Sequence, residues 1–178
     1  MKRIFALLFF LTAAAVYAGE CILSADGKTV TGVKNKDLIE CTVPAGVTVI
    51  GKNAFKDCRK LQKVTLPDSV TAIKSYAFAN CTALTSFTIP PKVKEIAERA
   101  FSACGLTSIT IPGGVTLIGV NAFWGCRALK TAVIPDSVEE ICYGAFWSCE
   151  SLKEISLPAN AEVDYYAFPY HCKQTVRK

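Results

Sequence analysis

The sequence predicts a stacked-repeat solenoid, and three observations carry that prediction. A block of 22 or 23 residues recurs five times, each block has too few apolar positions to enclose a core alone, and a proline closes the hydrophobic segment at the same place in every block. Such a period makes each block one turn of a coil, because only stacked neighbours bury what a single turn leaves open.

Residues 1–18 read as an export signal. Lys2 and Arg3 give the positive start, Ile4 to Val16 is almost entirely apolar, and Val16, Tyr17 and Ala18 fit the small-residue rule for cleavage after Ala18. The apolar run is too short for a spanning helix. No later stretch approaches the roughly 18 residues a bilayer crossing needs, so no transmembrane segment is expected once the signal is removed. Lipidation of Cys21 is the lesser alternative, because Glu20 stands before it where a small residue is expected. Cleavage leaves 18 Lys and Arg against 15 Asp and Glu, an ordinary balance. The basic residues form no run with interleaved aromatics, so nucleic acid is not an expected partner.

Residues 19–46 form an N-terminal cap and partial repeat, in which Leu38, Cys41, Val43 and Pro44 match the last part of the unit. Residues 47–160 hold the five full copies, starting at Val47, Val70, Val93, Val115 and Val138. The third has lost one residue between Cys104 and Leu106. Residues 161–178 are a degraded sixth copy that keeps Val163, Ala167, Phe168 and Cys172 before a polar tail. The shared unit is V-x-x-I-x-x-x-A-F-x-x-C-x(1-2)-L-x-x-[hydrophobic]-x-[LIV]-P.

Each segment of the unit has its own physical logic. Leu61, Val64 and Leu66 exemplify a piece whose end alternates like a strand with one buried face. The proline at 44, 67, 90, 112, 135 and 158 then stops it, having no amide hydrogen for a ladder. Asp68-Ser69, Gly113-Gly114 and Asp136-Ser137 supply turn chemistry. A second short extended piece follows, as at Val70 to Ile73, and A-F-x-x-C returns as a tight or partly helical turn. Phe55, Phe78, Phe101, Phe123, Phe146 and Phe168 should form one buried spine.

The unit resembles the BspA-like leucine-rich repeats, the 23-residue type also called treponemal, over roughly residues 38–172. The resemblance implies a right-handed leucine-rich-repeat superhelix, with a parallel β-sheet on the concave side and short turns or helical pieces on the other. It also implies a secreted or cell-surface protein. Known members are bacterial and protist proteins implicated in adhesion to host extracellular matrix, coaggregation and immune recognition. This chain is short and has no recognisable anchoring segment after the repeats, which leaves periplasmic residence open.

Nine cysteines in an exported chain ordinarily suggest disulfides. Here Cys58, Cys81, Cys104, Cys126, Cys149 and Cys172 share one repeat position and Cys41 takes an apolar strand position. The expectation is therefore a column of reduced, buried, small hydrophobes. Cys21 and Cys142 lie outside it, separated by several repeats, and an intermolecular bridge is their most interesting use. There is no C-x-x-C, and His171 is the only histidine, beside Cys172 in the terminal copy. No zinc site, catalytic triad, phosphate loop or dinucleotide fingerprint is present in the sequence, so neither a cofactor nor an enzyme activity is expected.

Two surfaces are candidates for a protein ligand. Strand residues flanking the buried ones should line the concave face as a mostly hydroxyl stripe: Glu40 and Thr42, Lys63 and Thr65, Ser86 and Thr88, Ser108 and Thr110, Thr131 and Val133, Glu154 and Ser156. The second surface is aromatic. The position after each spine phenylalanine is Lys56, Ala79, Ser102, Trp124, Trp147 and Pro169, so two tryptophans should stack one repeat apart. Tyr143, Tyr165, Tyr166 and Tyr170 join them near the C-terminal end. Such residues dominate binding hot spots, or alternatively cap the core. The expected function is protein binding, with adhesion to host or matrix components first. Self-association through the C-terminal end, as a structural envelope protein, is the alternative.

Overall fold

Every full turn of the coil repeats a V-x-x-I piece, a run of tight turns and an L-x-x-V-x-L piece. In the computed structural model, which describes residues 19–178, strands and turns account for all assigned structure and no helix occurs among the described residues. The predicted signal lies outside those residues. The chain opens with an antiparallel hairpin of β1 (Cys21–Leu23) and β2 (Thr29–Val33). All later strand pairing is parallel.

The V-x-x-I pieces carry the continuous sheet. They are β4 (Val49–Ile50), β6 (Ala72–Ile73), β7 (Glu95–Ile96), β9 (Leu117–Ile118), β11 (Glu140–Ile141) and β13 (Glu162–Val163), which extend the hairpin into one eight-stranded ladder. Its register sets Val30, Ile50, Ile73, Ile96, Ile118, Ile141 and Val163 side by side. One branched aliphatic residue of nearly constant size points inward from every turn, so each strand sits at the same depth.

The L-x-x-V-x-L pieces, which the sequence presents as the better strands, make a broken sheet instead. β3 (Glu40–Thr42) pairs with β5 (Lys63–Thr65), β8 (Ser108–Thr110) with β10 (Thr131–Val133), and β12 (Glu154–Leu157) with β14 (Lys173–Val176). The corresponding residues of the second copy, 86–88, join no strand. There Phe87 occupies the inward place that Cys41, Val64, Ile109, Ala132 and Ile155 hold elsewhere. Its ring wedges between Phe78 and Phe101, at centroid distances of 4.9 and 4.8 Å. A ring that large holds its strand away from the depth of its neighbours, and the ladder fails on both sides.

The six spine phenylalanines stack in sequence, with neighbouring centroids 5.0 to 5.4 Å apart and planes within 12° of parallel. That spacing matches the interval of roughly 4.8 Å between parallel strands, so the rings follow the backbone repeat.

The A-F-x-x-C stretch is a series of tight turns rather than helical pieces. Amides of alternate residues point in two directions: those of Asn53, Phe55 and Asp57 donate to Ser75, Ala77 and Ala79 of the next turn, while those of Ala54, Lys56 and Cys58 donate three residues back. This alternation needs two left-handed residues per turn. Asn53, Tyr76, Arg99, Asn121 and Gly144 fill the first place, and Asp57, Asn80, Ala103, Gly125 and Ser148 the second, all at positive φ.

Candidate functional site

The cysteine column is buried as expected, and it also has a bonding role. The thiols of Cys81, Cys104, Cys126 and Cys149 donate to the carbonyls of Phe55, Phe78, Phe101 and Phe123, one turn earlier, at 3.1 to 3.3 Å. Each of those carbonyls also accepts the amide of the cysteine in its own turn. Both lone pairs of a buried carbonyl are thus used, which alanine could not achieve. Burial pushes the Cys58 and Cys126 thiols up to about 12, so both are protonated at neutral pH and Cys126 can donate.

The two cysteines outside the column prove unlike. Cys142 is half-buried; desolvation, then its contact with the Glu140 carboxylate at 3.3 Å, push its thiol up to about 11. Cys21 is buried, with its sulfur 3.1 Å from that of Cys41. Its sulfur is packed against that of Cys41, so a lasting intermolecular bridge at Cys21 does not fit this fold. His171 is exposed, and no group of three or more Cys, His, Asp or Glu among the described residues is arranged to hold a metal.

The predicted hydroxyl stripe is exposed but not continuous. Glu40, Lys63, Thr65, Ser86, Thr88, Ser108, Thr110, Thr131, Val133, Glu154 and Ser156 all face solvent, and Thr42 is half-buried. Glu40 stands beside Lys63, Ser108 beside Thr131, and Glu154 beside Lys173. Between the paired strands the surface opens into grooves. Two flank residues 86–88, of about 370 Å³ towards Lys63 to Leu66 and about 290 Å³ towards Ser108 to Thr110. A third, of about 790 Å³, lies between Thr131 to Val133 and Glu154 to Ser156. The backbone breaks explain the grooves, and the sequence signal for the two beside residues 86–88 was the single phenylalanine at 87.

The C-terminal aromatics form one connected cluster. Trp147 receives Tyr170 edge-on at 4.9 Å and Tyr166 at 5.8 Å, while Tyr166 also contacts Tyr143, Tyr165 and Tyr170. Tyr165 and Tyr170 remain 80% and 75% exposed, so they do not cover the core. Desolvation by the neighbouring rings, then the Tyr166 hydroxyl, raise the Tyr170 phenol above its ordinary value.

Trp124 stands apart. Its backbone is one turn from that of Trp147, since the Gly125 amide donates to the Trp147 carbonyl at 2.8 Å. Among the described residues no ring contact joins the two tryptophans, so the expected stack does not form. The second left-handed place in each turn directs the chain away just after this position, and Trp147 turns to the tyrosines. Trp124 instead walls an open recess of about 370 Å³ with Thr82, Ala103, Gly105 and Arg127. The residue missing from the third copy marks this recess in the sequence.

Arg177 was not anticipated. Its guanidinium reaches back to the Asp136 carboxylate at 2.6 Å and donates to the carbonyls of Ile134 and Ser156, clasping the last turns together.

Comparison with known proteins agrees with this geometry. A family model described as BspA type Leucine rich repeat region matches over residues 34–94 and 48–175. No curated protein matches the chain. A leucine-rich repeat protein from Bacteroides ovatus superposes with a TM-score of 0.77 at 35% identity, covering 84% of this chain and 40% of that one. The chain therefore spans well under half the length of that relative. The T. pallidum leucine-rich repeat protein gives a TM-score of 0.68 at 25% identity, with 88% and 90% covered. The pneumococcal vaccine antigen PcpA shares the fold, with a TM-score of 0.75 at 21% identity over 89% of this chain and 41% of that one. With six copies of its unit matched and its coil reproduced in solved structures, the chain belongs to the BspA-type leucine-rich repeat proteins.

Proposed function

We propose that this protein is an exported binding module without catalytic activity, and that it engages a protein ligand through the aromatic cluster around Trp147. Adhesion to a host or matrix protein is the specific form we favour. The observation that carries the reading is the cluster itself. Five large rings lean on one another while the most exposed two leave the core uncovered, which is the composition of a hot spot and a poor use of aromatic surface for folding alone. The likeness to an antigen and the protein-binding habit of solenoids support it.

The test is to prepare Trp147→Ser and Tyr170→Ser and screen them beside the unaltered protein against immobilised matrix and serum proteins. Binding that weakens about thirtyfold or more in both variants, with melting temperatures held, supports the reading. Undiminished binding would direct attention to the grooves beside residues 86–88. One observation favours self-association: β14 pairs only with β12, and all four of its residues are exposed, leaving an open edge. Light scattering that finds a stable dimer would favour that alternative.

A further inference from the structure

The first turns of the coil differ from the rest in how their sulfurs are used. From Cys81 to Cys149, each thiol has the carbonyl of a spine phenylalanine one turn earlier as its acceptor. Cys21 and Cys41 face each other instead, with sulfurs 3.1 Å apart and both side chains more than nine-tenths buried. They sit on strands that belong to different sheets: β1 extends the V-x-x-I ladder and β3 pairs with β5. Neither ladder therefore ties the opening hairpin to the first L-x-x-V-x-L strand. A disulfide needs sulfurs about 2.05 Å apart, so closing the bond asks for a movement of only about 1 Å.

We propose that Cys21 and Cys41 are a disulfide pair, oxidised when the chain meets a thiol–disulfide oxidant, which staples the opening hairpin to the first strand of the other face. The setting rests on the export reading given above. The oxidant is a protein or small-molecule disulfide. The Cys21 thiolate attacks one of its sulfurs, forming a mixed disulfide and expelling the other sulfur as a thiolate. Cys41, as thiolate, then attacks the Cys21 sulfur and displaces the remaining half. The two cysteines lose two protons and two electrons in all, and the oxidant's disulfide becomes two thiols. The order of attack follows from access: Cys21 is 8% exposed and Cys41 2%, so an oxidant reaches Cys21 first.

The experiment maps peptides of the full chain, purified reduced and then held with oxidised glutathione. Trypsin cuts after Lys28, Lys36, Lys52 and Lys56, which puts Cys21, Cys41 and Cys58 on separate peptides. The expected result is a Cys21 peptide joined to the Cys41 peptide and released by dithiothreitol. The melting temperature should rise by about 5 to 10 °C on oxidation, and this gain should vanish in Cys21→Ala. Recovery of both cysteines alkylated, or a Cys41 peptide joined to that of Cys58, would overturn the pairing. So would an equal rise in Cys21→Ala. Mapping a second sample exported by a bacterial host separates the two readings. A bridge formed in glutathione but missing after export counts against the compartment, whereas a bridge missing from both samples counts against the pair.

Discussion

One strand face of the coil is an unbroken ladder of eight strands, and the other, built from the same copies, is three separate pairs. The difference does not lie in how strand-like the pieces are, since the broken face has the longer and better alternating ones. It lies in the uniformity of the inward residue. Isoleucine or valine fills that place in every turn of the unbroken face, whereas the other face has residues ranging from Ala132 to Phe87. A ring as large as Phe87 between Phe78 and Phe101 keeps its strand from the depth at which its neighbours could bond. Size explains the two breaks around Phe87. It does not explain the break between Ala132 and Ile155, since Ile109 and Ala132 stay paired across an equal mismatch; there Arg177 takes the Ile134 and Ser156 carbonyls. The grooves follow the breaks, so irregular turns create the places a ligand can enter.

The largest effect should come from the spine, which both faces share. Phe101→Ala should cost about 3 to 5 kcal/mol in urea unfolding, because it empties the layer between Phe78 and Phe123. Lys56→Ala, beside the same stack but pointing outward, should change stability by less than about 0.5 kcal/mol. Similar losses from the two would mean that the faces do not lean on a common core.

Next comes the turn side. Cys126→Ala should cost about 1 to 3 kcal/mol, as the Phe101 carbonyl loses its second donor, with Cys126→Ser costing less. The thiols also make an alkaline limit. Their folded values near 12 lie above the ordinary value of 9.0, so the folded state keeps protons that the unfolded chain releases. Stability should be complete below pH 9 and should fall as the pH rises from 9 towards 12. Denaturation curves across that window should flatten their pH slope in Cys126→Ala.

A smaller effect addresses the comparison directly. The amide of Phe87 should exchange with deuterium about tenfold or more faster than that of Ile109, which is in a ladder. Equal protection would erase the distinction between broken and unbroken turns. The smallest effect is a gain. Ala103 has φ of 54°, a conformation that disfavours any side chain, and Ala103→Gly should raise stability by up to about 1 kcal/mol.

What the sequence disclosed follows from what repetition averages. The turns, the phenylalanine spine and the burial of the cysteines were all legible, because a residue recurring in every copy reports its environment repeatedly. The leading role of the V-x-x-I pieces was not, since two-residue strands show too little alternation to identify. The thiol bonds were hidden because the acceptor belongs to the preceding turn, at a reach that only the stacked pitch defines. Asn53, Asp57, Asn80, Asn121 and Gly125 hinted at left-handed backbone, but Tyr76, Arg99 and Ala103 at the same places obscured it. The aromatic residues could be located near one end, yet their mutual contacts depend on how the sixth turn departs from the pattern, and so could not be read.

Gly105 makes up the deficit of the third copy, one residue short between its cysteine and its leucine. Any side chain there would drive its Cβ into the Thr82 carbonyl oxygen, because the shortened chord presses against the turn before it. The phenylalanines and isoleucines on either side keep their places in the stack regardless. Changes of length are thus absorbed at a single corner without passing along the coil. Here a loop has changed size while the turns on both sides stay in phase. That corner also opens directly onto the recess beside Trp124, so the one length difference among the five full copies falls where it shapes an exposed surface.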